Sequence, residues 1–180
     1  IEVKNNLEIT SIQNKALELS LFLSIPAATA ILIASEEIIS SLFGYGSFDE
    51  GSVQNSAKAL FYFGMGLPAF SLIKVFSTFF FSRHNTEIPF YISLVSVILN
   101  IIISIYYFNI IGFIIIPIAT TISSWFNSII LLVYLKKNSL FKFNNIFVTR
   151  FFKIILASFM MGLFFKFLIG LIIICIFFKR

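Results

Sequence analysis

Residues Gly64 to Pro89, GMGLPAFSLIKVFSTFFFSRHNTEIP, hold an apolar helix, one lysine set deep inside it, and a compact polar turn that ends it. Lys74 lies eight residues before Ser82, which on a helix rising about 1.5 Å per residue is roughly 12 Å inside the end of the apolar run. A lysine at the centre of a bilayer costs about 2.5 to 3.5 kcal/mol on insertion scales, so such a residue either snorkels or faces a cavity. The turn behind it gathers Arg83, His84, Asn85 and Pro89 into a hairpin connection between two apolar segments.

The composition around this stretch agrees with a membrane setting. Hydrophobic residues make up 59% of the chain and charged residues 12%, with mean hydropathy +1.01. Soluble domains hold about 45 to 50% and 25% respectively, so an all-α, polytopic transmembrane bundle is expected. The net charge of +5 comes from lysines and arginines lying mostly between apolar runs, a topology signal that leaves no case for a nucleic-acid partner. One cysteine, Cys175, and one histidine, His84, exclude a disulfide framework or a Cys/His metal cluster within the chain, so no metal ligand is assigned. The chain starts at Ile1 on the polar stretch EVKNNLEITSIQNK, and further spans are expected upstream.

Five apolar segments are long enough to cross about 30 Å as helix: roughly 19–43, 59–82, 88–108, 110–135 and 147–178. This divides the chain into a tail (1–18), four transmembrane helices (19–135), a basic connection (136–150) and a fifth segment (151–180). Lys153 and Lys166 interrupt the fifth, leaving open one tilted span or a span followed by a membrane-surface piece. Lys4, Lys15, Arg83, Lys136, Lys137, Lys142 and Arg150 fall on one side, against Lys58, Lys179 and Arg180 on the other, which places the tail in the cytoplasm. The outer stretch GYGSFDEGSVQNSAK, with Asp49 and Glu50, reads as a solvated connection. Pro26, Pro68 and Pro117 lie inside spans and predict bends, helped near Pro68 by Gly64 and Gly66.

Two polar stripes follow. Ser93, Ser96, Asn100 and Ser104 recur on one helical face, and Thr120, Ser123, Ser124 and Asn127 do so on the next helix. They serve either interhelical hydrogen bonding or a hydrated cavity or cation site. Trp125, in mid-span, is expected to pack. Glu36 and Glu37 lie near the outer interface with no histidine in reach. With no glycine-rich phosphate loop, no HExxH, no nucleophile elbow and no intramembrane acid/base cluster, the residues carry no enzyme signature and no catalytic residue is assigned.

Ile25-Pro26-Ala27-Ala28, Glu36 to Phe48, Gly66 to Phe70 with Lys74-Val75, Phe81 to Pro89, Ser96 to Asn100 and Ala119 to Asn127 together resemble the MurJ/MviN lipid II flippases of the multidrug/oligosaccharidyl-lipid/polysaccharide exporter superfamily. The likeness runs over residues 15–137. It implies a fourteen-helix fold with two six-helix lobes around a V-shaped cavity, of which this chain would be the ninth to thirteenth helices, in the second lobe. It also implies a bacterial inner-membrane protein that moves undecaprenyl-linked peptidoglycan precursor outward by alternating access. Its partners would be the bilayer, that lipid-linked precursor and an N-terminal lobe of the same protein. Lys74 is then a candidate cavity cation, while the family's essential cavity arginines fall outside this chain.

Some family members bind sodium, and that resemblance places Asn100, Thr120 or Thr121, and the Ser104 position in a candidate cation site. Ser104 stands where an Asp is expected, which leaves sodium coupling or membrane-potential coupling as the alternatives. Pro117 and Tyr45 also depart from the family pattern. The alternatives to lipid II transport are export of another lipid-linked oligosaccharide or of a small cation, or a truncated remnant that transports nothing.

Overall fold

A computed structural model describes residues 2–45 and 49–178, with side chains over 8–45 and 49–171. Five long helices fill it: α1 (Glu2–Phe43), α2 (Glu50–Phe81), α3 (Glu87–Ile111), α4 (Ile115–Lys137) and α5 (Asn145–Phe178). A 3-10 turn, Gly112–Ile114, joins α3 to α4. There is no strand among the described residues. Lys179, Arg180 and residues 46–48 of the expected outer connection lie outside them.

The helices are longer than the apolar runs that seed them. Residues 2–18 continue α1 toward the N-terminus, since Glu, Lys, Leu, Gln and Ala are good helix formers with nothing to stop them. The outer connection is shorter than expected, because Asp49 caps α2 by accepting from the Ser52 amide at 2.9 Å and helix begins at Glu50. The basic connection narrows to residues 138–144, and α5 runs as one helix through Lys153 and Lys166. By length and composition four stretches could cross a membrane, and the third, Glu87–Lys137, contains both α3 and α4. That stretch folds back at Gly112, whose φ of 73° and ψ of −155° suit glycine alone.

One proline expectation changes. Pro117 falls in the first turn of α4, where a missing backbone donor costs little, and not inside a span. In α1 the non-helical torsions occur at Ala34 (φ −116°, ψ 23°), eight residues beyond Pro26. α2 continues as helix through Gly66 and Pro68.

The helices neighbour one another in the order α5, α1, α2, α4, α3. Their shared core lies at one end, where Leu17, Leu21, Phe76, Phe79, Phe80, Leu131, Leu135, Phe141 and Phe147 are buried together. In the other half, α1 sits between two glycines. A Cβ at Gly64 of α2 would come within 2.9 Å of Ile31, and one at Gly162 of α5 within 2.7 Å of Ile33 and 2.9 Å of Thr29. Most large apolar side chains of α3 and α5 face outward, the arrangement a lipid environment rewards.

Candidate functional site

The two polar stripes meet. α3 and α4 form an antiparallel hairpin in which Asn100 Nδ2 donates to Thr120 Oγ1 at 3.0 Å and to Ser123 Oγ at 3.3 Å. Ser104 Oγ donates to Asn100 Oδ1 at 3.2 Å. One to two turns further along, Asn127 Nδ2 donates to Ser93 Oγ at 3.3 Å. Ser93, Asn100, Thr120, Ser123 and Asn127, with Ile73 of α2, line a cavity of about 280 Å³ that also takes in Ser96 and Ser124.

Of the four residues expected at a cation site, the structure gathers Asn100, Ser104 and Thr120 but not Thr121. One residue along a helix is a rotation of about 100°, and that turns Thr121 toward α2, where its hydroxyl donates to Tyr62 O at 2.7 Å. The trio itself does not fit a sodium ion. Its oxygens are all neutral, no carboxylate among the described residues lines the cavity, and the Asn100 NH2 group points at the Thr120 hydroxyl oxygen a cation would need, as well as at Ser123.

The expected bend of α2 is where α4 grips it. Thr121 reaches Tyr62 O, Trp125 Nε1 reaches Met65 O at 3.1 Å, and a Cβ at Gly66 would lie 3.0 Å from Thr121 Oγ1. Glycine at 66 therefore allows the close approach, and the two side-chain donors serve backbone carbonyls in the two turns before Pro68. Trp125 is thus a hydrogen-bonding residue as well as a packing one, and 38% exposed. Lys74, two turns along, stands on the exposed side of α2 with no ion-pair partner among the described residues.

At the core end, the polar turn and the 138–144 strap are built alike. His84 (φ 57°) and Ser139 (φ 55°) take left-handed torsions that let Asn85 N reach Phe80 O at 3.1 Å and Leu140 N reach Leu135 O at 2.9 Å. Asn85 Oδ1 then accepts from the Ile88 amide at 3.3 Å, and Pro89 is buried at the start of α3. Arg83 Nη2 donates to Leu140 O at 3.0 Å, so the expected hairpin cation also ties the α2–α3 turn to the strap. Asn14, which sequence reasoning did not single out, donates to Lys142 O at 2.9 Å and accepts from the Asn144 amide at 3.1 Å. Arg150 meets both carboxylate oxygens of Glu18 at 3.0 Å. Such partners lie more than a hundred residues apart, and no local pattern announces them.

At the opposite end Glu36, Glu37 and Glu50 line an open cleft, with Lys58 beside Glu36. Among the described residues there is no group of three His, Cys, Asp or Glu able to hold a metal.

Membrane-length helices with inward polar hydrogen bonding and outward apolar side chains define a multi-pass membrane protein. Comparison with known proteins narrows the class. The family model for lipid II flippase MurJ matches residues 2–177, and the chain belongs to that family. It is 36% identical over 124 residues to the probable lipid II flippase MurJ of Rhizobium meliloti (strain 1021), covering 69% of this chain and 23% of that protein. The protein of the same name from Thermotoga maritima is 33% identical over 147 residues, covering 79% of this chain and 28% of its own. The chain therefore spans about a quarter of the length of these relatives. A solved structure, lipid II flippase MurJ in an inward closed conformation, shares the fold with a TM-score of 0.75 at 24% identity, over 94% of this chain and 39% of that one.

Proposed function

We propose that this chain forms part of the second lobe of a flippase that carries undecaprenyl-linked peptidoglycan precursor from the inner to the outer leaflet of a bacterial inner membrane. The observation that carries the reading is the family match over 2–177 in a chain that also shares the fold. The end holding Arg83, the strap and the start of α5 faces the cytoplasm, as does the N-terminal part of α1. The helices that the relatives possess beyond the matched quarter supply the other wall of the cavity.

Lys74 is the residue in this chain best suited to meet the precursor's pyrophosphate. It is exposed and unpaired among the described residues, on a face of α2 flanked by Leu67, Phe70 and Thr78, so its charge needs a partner from outside the chain. The Asn100 cluster is neutral and its oxygens are engaged by its own amide, which speaks against sodium and leaves the membrane potential as the drive to test. The test is rescue of peptidoglycan synthesis by the full-length protein in a strain depleted of its own flippase. Loss of rescue despite membrane expression would favour transport of another lipid-linked oligosaccharide. In reconstituted vesicles, Lys74→Met should slow precursor flipping at least tenfold and Lys74→Arg should not; flipping by Lys74→Met at the parental rate would remove Lys74 from the cavity.

A further inference from the structure

We propose that the cavity between α3 and α4 is a built hydration site, a cluster of ordered waters centred on Asn127 and distinct from any cation site. Asn127 is 6% exposed, and its Oδ1 finds no hydrogen-bond donor among the described protein groups. A buried acceptor left this way costs about 1 to 3 kcal/mol, so a partner is expected.

The hydrogen inventory around it says which kind. The hydroxyls of Ser96, Thr120, Ser123 and Ser124 are all committed to backbone carbonyls of their own helices, at 2.8, 2.8, 3.0 and 2.6 Å. Asn100 spends its amide hydrogens on Thr120 and Ser123. What remains toward the cavity is mostly acceptor: Asn127 Oδ1, Ser96 Oγ and Ser124 Oγ. The spare donors are the Ser93 hydroxyl hydrogen and one N–H of Asn127.

An acceptor-rich lining could attract a cation, but two observations favour water. The lining is neutral, so a cation giving up its hydration shell there would find no countercharge. Exchanging the oxygen and nitrogen of the Asn127 amide leaves the opposite end unpaired, and only a guest that both donates and accepts satisfies either orientation. Water does so. A cavity of about 280 Å³ holds several molecules at roughly 30 Å³ each. Such waters exchange partners easily, so α3 and α4 can shift against each other without leaving buried polar groups bare.

The test is solid-state NMR on the full chain in lipid bilayers, following magnetisation transfer from water protons to the Asn127 side-chain amide. Loss of the signal in Asn127→Leu identifies it; if that variant fails to fold, Asn127→Ser serves. The expected build-up matches that of exposed Asn138 and is several-fold faster than at the buried Leu131 amide. A build-up as slow as at Leu131 would overturn the proposal. So would a shift of the Asn127 signal with sodium or potassium but not with choline at equal ionic strength.

Discussion

Asn14 spends its whole side-chain amide on backbone, donating to Thr10 O at 2.8 Å and Lys142 O at 2.9 Å and accepting from Asn144 N at 3.1 Å. Asn14→Leu removes these partners from a buried site and should cost about 2 kcal/mol, the penalty of stranding strap groups away from water. A detergent melt or denaturant titration checks it, and an unchanged midpoint would make the strap incidental. His84 offers the opposite sign. Its φ of 57° strains a side-chain-bearing residue, so His84→Gly should stabilise by up to about 1 kcal/mol in the same assay. Asp49 gives the pH dependence: hydrogen bonds from the Ser52 side chain and then its amide hold the carboxyl below its ordinary value. A depressed carboxyl stabilises the fold above its unfolded value and loses that contribution as the pH falls through the folded one. The first turns of α2 should therefore be less protected from amide exchange, relative to the intrinsic rate at each pH, below about pH 4 than at pH 7, and Asp49→Asn should flatten that difference.

At the scale of elements, α1 is held by notches on both sides. Gly162→Ala would press a methyl onto Thr29 Cγ2 and Ile33 Cδ1. Ile33 can swing aside, but Thr29 is β-branched and its hydroxyl is tied to Ile25 O at 2.9 Å, so about 1 to 2 kcal/mol should be lost. Gly162→Leu should detach α5 from α1, seen as new protease cleavage near the strap with the other helices intact; full protection of the strap would count against it. None of this was legible in the sequence, where Gly162 is one glycine in a featureless apolar run. What was legible followed from period and composition: the apolar helices, the polar turn after Phe81, and the two stripes that meet as Asn100 with Thr120 and Asn127 with Ser93. Helical spacing names a face but not the neighbour it meets, so Thr121 could not be assigned to α2 before the packing was known. Helix ends were also hidden, because Pro117 reads the same in a first turn as in mid-span.

Over the whole molecule, the fold sorts charge by end. Lys15, Arg83, Lys136, Lys137, Lys142 and Arg150 gather at the end that holds the buried core, against Glu8, Glu18 and Glu87, and Glu18 is engaged by Arg150. The far end carries Glu36, Glu37, Asp49 and Glu50 with Lys58 as its basic residue among those described. A membrane potential of 100 mV contributes about 2.3 kcal/mol per charge carried fully across, so the proposed orientation, basic end inside, is the one this asymmetry would favour. This gives a test of orientation that is independent of transport. In a Cys175→Ala background, Ser139→Cys in the strap should react with a membrane-impermeant maleimide only after the cytoplasmic face is opened. Ser52→Cys, in the first turn of α2, should react in intact cells whose outer barrier alone has been made permeable. The reverse pattern would invert the bundle, put the strap outside, and remove the basis for placing Arg83 and the start of α5 where the lipid-linked precursor is made.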